Sequence, residues 1–355
     1  MIKSSLSEQE MSQAFTKALA ETGLVNSNDT SLVFYELDFL SARIMDLQNQ
    51  FPPETLHALA IKANPLTNVL SKIKATGAGA EVASFPELYL AEKAGFTAEN
   101  IVFDSPCKTK AEIEYALQTG VYLNADSFDE LDRIAEILKT VSSKSLIGLR
   151  INPQVGLGRI KSTSVADGIS KFGIPINENR ERIIEYFLKY SWLTGIHVHI
   201  GSQGCPVPLI IGGIRKVLDL TIEINTILKK ESSENTISVF DIGGGLPVSY
   251  HPGELLIDAE NYVAMLKSDC SELLDGRFRL ITEFGRRPPR HGNGLLDADA
   301  NQRIADIVRI ELDGFDFADA HTPIANRRLH IEPGDILCGQ HQILDAHFFV
   351  ATEPP

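Results

Sequence analysis

Residues able to do chemistry fall in four short stretches. In "HALAIKANP" (57–65) a lysine, Lys62, ends an apolar run. Such a lysine is either a surface cation with a buried stem or an amine that bonds covalently to a carbonyl, which calls for a low-dielectric pocket that depresses its pKa. "GIHVHIGSQG" (195–204) places His197 and His199 two apart, on one face of a strand. "DIGGGLP" (241–247) has three successive glycines, Gly243, Gly244 and Gly245, whose backbone N–H groups a phosphate can approach with no Cβ in the way; otherwise it is a tight turn. "EFGRRPP" (283–289) gathers Glu283, Gly285 and Arg286, where the arginine could bind phosphate oxygens or pair with the glutamate.

The histidine pair has three readings. It could be an H-x-H metal site of a hydrolase, with Asp104, Asp126 or Asp241 as further ligands. One imidazole could instead pack on a flat aromatic cofactor while Ser202 reaches that cofactor's phosphate. In the third reading one histidine belongs to the core and the other is hydrogen-bonded. No other histidine falls at a strand end, which weakens the metal reading. A lysine amine, a phosphate cradle, a stackable imidazole and a carboxylate on one rim together describe a site for pyridoxal 5′-phosphate (PLP), with no metal.

One rim requires a scaffold that brings strand ends together. Eight apolar runs begin at residue 56: "LHALAIKAN", "GAEVAS", "IVFDSP", "VYLNADS", "LIGLRIN", "LTGIHVHI", "ISVFDIGG" and "RLITEFGR". Helical patterns separate them. Thr109 and Glu112 have capping-box spacing with Gly120 as stop, Ser127 and Glu130 repeat the box, and Ser84, Pro86 and Gly95 bound another helix. This alternation fits an α/β (β/α)8 barrel better than an open sheet. Lys62, Ser84, Asp104, Asp126, Arg150, His199, Asp241 and Glu283 all fall near the C-terminal ends of their strands, the end that carries chemistry in such barrels. The glycine run and Glu283–Arg286 end the seventh and eighth strands, where these barrels frequently hold phosphate. Upstream, 7–23 reads as an amphipathic helix, "SLVFYEL" (31–37) as a strand and "DFLSARIMDLQNQF" as a helix. Beyond Arg286, "RIADIVRIELDGF" and "RRLHIEPGDILCG" read as strands with a turn at Glu332–Gly334.

Composition narrows the partners. The 355 residues carry a net charge of −14, which disfavours nucleic acid and anionic membranes. Four scattered cysteines, Cys107, Cys205, Cys270 and Cys338, suggest reduced thiols rather than a disulfide or zinc framework. The N-terminus lacks a signal-peptide core and no run reaches the length of a membrane span, so the expected compartment is the cytoplasm.

"AIKANP", "GAEVAS-PEL", "SKFGIP", "GIHVHIGSQ", "DIGGGLP" and "EFGR", in order over roughly 30–287, resemble the fold type III PLP-dependent decarboxylases, diaminopimelate decarboxylase-like proteins in particular. The resemblance implies an N-terminal segment 1–30, a PLP-binding barrel 31–287 and a shortened β-rich region 288–355, the last joining the N-terminal segment in a second domain. It implies decarboxylation of meso-diaminopimelate or another basic amino acid, in a homodimer with shared active sites. Lys62 would carry PLP, with Glu81 and Arg150 near it. His199 would stack on the ring. Ser202, Gly243, Gly244, Gly245, Gly285 and Arg286 would hold the phosphate, and Glu283 would pair with the pyridine nitrogen. A carboxylate there favours decarboxylation; racemases of this fold type place an arginine. The 69 residues after Arg286 look short for the family's C-terminal domain, which usually lends the partner subunit a cysteine, an acidic residue and a tyrosine. Cys338 and His347 are the candidate substitutes for the proton donor. That departure motivates one rival, an impaired PLP-binding homologue with a regulatory role; a racemase, which Glu283 disfavours, and a metal hydrolase using His197 and His199 are the others.

Overall fold

All eight apolar runs form strands in the computed structural model, and all eight are parallel. The structure describes residues 8–20, 31–156, 170–201, 205–231, 235–246 and 259–285, and the strand segments 307–311, 331–332, 341–343 and 348–352. Two compact units result: residues 1–43 with 249–254 and 291–355, and residues 44–248 with 255–290.

The first unit holds helix α1 (Glu8–Ala20) and strand β1 (Ser31–Glu36). In α1, Ala14, Phe15 and Ala18 are buried, as their helical spacing requires. β1 is central in an antiparallel sheet and pairs on both edges with strands from the C-terminal region. The first of the two expected C-terminal strands is Ile307–Glu311, and the second shrinks to Ile331–Glu332. Two further strands, His341–Ile343 and Phe348–Thr352, carry no sequence signal we recognised. The expected turn residues Pro333 and Gly334 lie outside the described residues. Helix α2 (Leu37–Gln48) follows β1.

The second unit is the barrel. Its strands are β2 (Leu56–Ala60), β3 (Gly79–Val82), β4 (Ile101–Phe103), β5 (Tyr122–Ala125), β6 (Ile147–Asn152), β8 (Leu193–Val198), β9 (Val239–Asp241) and β10 (Arg279–Thr282). They pair in that order, and the β10–β2 pairing closes the ring. A two-residue strand, β7 (Ile174–Pro175), pairs with the C-terminal end of β6. The connecting helices are α3 (Thr67–Ala75), α4 (Phe85–Lys93), α5 (Lys110–Thr119), α6 (Phe128–Leu138), α7 (Ile176–Lys189), α8 (Val207–Lys230) and α9 (Ala259–Asp269). No helix among the described residues is long and apolar enough to cross a membrane.

Alternation along the strands explains how an apolar ring carries a polar rim. Successive side chains point to opposite faces of a strand, so positions two apart share one side. Climbing by twos gives Val102–Asp104, Tyr122–Asn124–Asp126, Gly148–Arg150, Gly195–His197–His199, Val239–Asp241 and Ile281–Glu283. The lower members Val102, Tyr122, Val239 and Ile281 form one buried cluster with Leu56 and Ala58. Gly148 and Gly195 lie side by side, and a Cβ on either would collide with the Tyr122 hydroxyl. Each series is thus small or apolar below and charged or polar above.

Two local expectations need correction. The strand carrying Lys62 stops at Ala60, and Lys62 lies in a 3-10 turn, Ile61–Ala63. The cause is Pro65. It forces Asn64 into extended backbone (φ −160°), and the Asn64 N–H closes the turn on the Ile61 carbonyl at 2.9 Å. The second correction concerns Ser127 and Glu130. Thr109 and Glu112 form a full reciprocal capping box, with Gly120 left-handed at the helix end (φ +85°). Ser127 does accept from the Glu130 N–H at 3.2 Å. The Glu130 carboxylate, however, accepts from the Asp126 N–H (3.0 Å) and pairs with Lys108 (2.8 Å). One carboxylate oxygen thus serves the N–H just before the cap, as Glu87 serves Ala83, and the other the buried ammonium.

Candidate active site at the barrel mouth

The site is built from the last inward-facing residue of each strand or the residue just after it. Lys62 extends from the turn after β2. Its side chain is 61 % exposed, and its Nζ lies 3.7 Å from Glu81 Oε2 on the neighbouring β3, whose side chain is 4 % exposed. Glu283 follows β10, the strand that pairs with β2, and is buried. Its Oε2 lies 3.3 Å from His197 Nε2 and 3.7 Å from His199 Nδ1. Its Oε1 is buried with no hydrogen-bond partner among the described residues.

Behind Glu283 runs a chain of charges. The other ring nitrogen of His197, Nδ1, lies 3.4 Å from Asp104 Oδ1. Asp104 Oδ2 accepts from Arg150 at 3.3 Å, and the same guanidinium lies 3.8 Å from Asp126. "SKFGIP" completes this corner. Phe172 packs against the Arg150 guanidinium (4.8 Å), and the Gly173 N–H donates to Asp126 at 3.1 Å. Gly173 has φ +68°, and a Cβ there would press on Arg150.

Glycine at 243–245 answers to the backbone first. Gly243 and Gly245 have positive φ, and a Cβ on Gly244 would collide with the Glu283 carbonyl oxygen. Two of the three amides are already engaged. The Gly243 N–H donates to Asp241 (2.9 Å) and the Gly244 N–H to His199 Nδ1 (3.2 Å). Gly285 packs beside β2, where an added Cβ would stand 3.2 Å from the Cβ of Ala60.

Electrostatics sorts the five carboxylates of this mouth. Burial raises Glu81 to about 8, although Lys62 opposes the shift. Burial also raises Asp126 to about 6 and, with the Glu283 charge beside it, lifts Asp241 well above the carboxylate range. For Asp104 and Glu283 burial is outweighed by His197, assisted by Arg150 and His199 respectively. Both carboxyls are therefore held below their ordinary values, Glu283 far below. The histidines split in opposite directions. Burial opposes charge on His197, yet Asp104, Glu283 and Asp241 outweigh it and raise its pKa well above normal. For His199 burial prevails, assisted by the charges of Arg150 and Lys62, and its pKa falls. A neutral His199 suits the hydrogen bond its Nδ1 accepts from Gly244.

Lys62 departs from expectation. Burial works against its ammonium, but Glu81, Glu283, Asp104 and Glu87 outweigh it, so its pKa is raised rather than depressed. Four carboxylates stabilise the charge that an apolar pocket would have repelled. The free amine is therefore scarcer at a given pH than on an unperturbed lysine. In pulsed acetic-anhydride labelling read by mass spectrometry, the Lys62 profile should lie at higher pH than that of a model lysine peptide. The Glu81→Gln variant should bring it back down.

The structure brings together Lys62, Glu81, Arg150, His199, Gly243, Gly244, Gly245, Glu283 and Gly285. Ser202, Arg286, Cys338 and His347 lie outside the described residues. Sequence reasoning left His197 open and gave Asp104 and Asp126 no cofactor role; their strand-end positions were the available signal. His197, His199 and Glu283 do offer three donor atoms within 4.8 Å of one another, a spacing that could hold a metal ion. Their donor set is that of an ion-paired cluster: one histidine made cationic between Asp104 and Glu283, and one accepting from a backbone amide.

An accessible lysine amine and a buried ionised carboxylate on neighbouring strand ends, at the mouth of a parallel (β/α)8 barrel, suit a cofactor with an aldehyde at one end and a basic ring nitrogen at the other. Glu283 Oε1 supplies the acceptor such a nitrogen needs when protonated, so the residues present fit PLP. The chain belongs to the pyridoxal-dependent decarboxylases: that family's pyridoxal-binding domain matches residues 37–287. Among curated relatives, the chain is 31 % identical over 278 residues to diaminopimelate decarboxylase of Aquifex aeolicus, covering 77 % of this chain and 63 % of that one. It is 30 % identical over 276 residues to L-glutamyl-[BtrI acyl-carrier protein] decarboxylase of Niallia circulans, covering 75 % and 62 %. The crystal structure of Helicobacter pylori diaminopimelate decarboxylase complexed with L-lysine superposes with a TM-score of 0.63 at 29 % identity, covering 73 % of this chain and 64 % of that one. The chain thus spans less than two thirds of the length of these relatives.

Proposed function

We propose that this chain is a PLP-dependent decarboxylase acting on the α-carboxylate of a diamino or basic amino acid, meso-diaminopimelate first among them. The observation that carries this reading is the buried, unpartnered Oε1 of an ionised Glu283 at the end of the strand next to that of the exposed Lys62 amine. PLP bound there supplies an electron sink for the electron pair left when the carboxylate departs as CO2. Lys62 would hold the cofactor through its ε-amine, with the Glu81 carboxyl 3.7 Å away to exchange a proton with that amine. Glu283 keeps the proton on the ring nitrogen, which a neighbouring arginine would drive off. Neutral His199 packs on the ring, while Arg150 holds Asp104 and Asp126 in place. On the strength of the family resemblance Gly245, Gly285, Ser202 and Arg286 would hold the phosphate, while Gly243 and Gly244, whose N–H groups are engaged by Asp241 and His199, would shape the loop around it. The same reading expects a cytoplasmic homodimer with shared sites.

The test has two parts. Borohydride reduction of PLP-loaded protein, followed by peptide mapping, should place the pyridoxyl group on Lys62. CO2 release from meso-diaminopimelate, lysine, ornithine and arginine, assayed side by side, should identify a preferred substrate. Labelled Lys62 without turnover would support a catalytically silent homologue, and inverted chirality without CO2 a racemase. An unlabelled Lys62 would overturn the reading altogether.

A further inference from the structure

Glu283 has a support of its own. His197 is completely buried on β8, with Arg150 of β6 and Asp241 of β9 as its register partners. Its ring bridges two acids from strands on opposite sides of β8: Asp104 after β4 at Nδ1 (3.4 Å) and Glu283 after β10 at Nε2 (3.3 Å). Both contacts are longer than good hydrogen bonds, so they act mainly through charge. The other groups facing the ring are His199, 6.5 Å away between ring centroids, and Asp241, whose Oδ2 accepts from Asn124. A neutral imidazole would leave two ionised carboxylates buried, with Arg150 paired to Asp104 and no guanidinium on Glu283, an expensive arrangement.

We propose that His197 is a positioning residue for Glu283: as a buried imidazolium tied to Asp104, it holds Glu283 Oε2 from below and leaves Oε1 ionised and aimed at the cofactor's ring nitrogen. The chain of contacts runs from Arg150 through Asp104 and His197 to Glu283, each neighbour stabilising the charge of the next. The inference rests on the PLP reading above only for the identity of the group on Oε1; the imidazolium itself is a property of the cofactor-free protein.

Two spectroscopic readouts test it. In cofactor-free protein labelled with 15N-histidine, one imidazole should keep both protons at pH 8, well above the ordinary histidine midpoint of about 6.5. That resonance is assigned as the one lost in His197→Gln. In Asp104→Asn and Glu283→Gln its midpoint should fall by at least about one pH unit, because each variant removes one neighbouring charge. With 15N-labelled PLP bound, the ring nitrogen should be protonated in the parent protein. It should shift toward the neutral form in His197→Gln while borohydride still labels Lys62. If His197→Gln does not fold, Asp104→Asn carries the comparison, and the resonance that moves in both acid variants is His197. A neutral His197 imidazole at pH 7 would overturn the proposal, as would an unchanged ring-nitrogen shift in a folded, labelled His197→Gln. Failure of the PLP reading looks different: no label on Lys62 in the parent protein, with the imidazolium intact.

Discussion

Lys62→Ala is expected to abolish the pyridoxyl label and all turnover while leaving the barrel folded. The chemical half follows from position, since the ε-amine after β2 is the exposed amine facing the carboxylates of the mouth. The structural half follows from energetics. Lys62 is 61 % exposed, so its removal leaves no cavity. Its partner Glu81 has a pKa of about 8 and is mostly protonated at pH 7, so no bare buried charge is left behind. Even with both partners charged, a partly exposed contact of this kind is worth under about 1 kcal/mol, and the denaturant midpoint should barely move. Loss of label together with loss of fold would show that Lys62 is structural. Persistence of the label would move the attachment site to another lysine.

Lys108→Met is expected to have the opposite profile, a large loss of stability of about 3–5 kcal/mol in urea denaturation. Lys108 and Glu130 form a fully buried ion pair at 2.8 Å, with side chains 0 % and 1 % exposed. The ammonium also donates to the carbonyls of Ser105 (2.6 Å) and Asn124 (2.8 Å). Methionine fills much of the volume but leaves a carboxylate and two carbonyls without their donor. Because Glu130 also accepts from the Asp126 N–H, the damage reaches the mouth through Asp126 and Arg150. The double variant Lys108→Met/Glu130→Gln should recover much of the loss, since the amide keeps the Asp126 contact without an uncompensated charge. A single variant within about 1 kcal/mol of the parent would contradict this account.

That pair also shows where sequence reasoning reached its limit. Glu130 follows Ser127 by three, the spacing of a capping box, and the box was the natural expectation. Nothing local says that Lys108, on another connection, enters the core and pairs with that carboxylate. Lys62 makes the same point. Its place near the end of a strand was legible, but the sign of its pKa shift was not, because the four carboxylates that set it come from three other connections and strands.

Local pattern alone determined the eight strands, most of the helix caps and the rim of polar residues. A strand's inward face is read by counting in twos, and a cap by counting in threes. The six motifs likewise carried the family. Only the closed ring decided which acids are ionised, which of the two histidines is cationic, and which glycine amides are already engaged. The reason is that ionisation depends on desolvation and on every nearby charge. Asp104, His197, Asp241 and Glu283 are spread over 180 positions of sequence and become neighbours only when β10 pairs with β2.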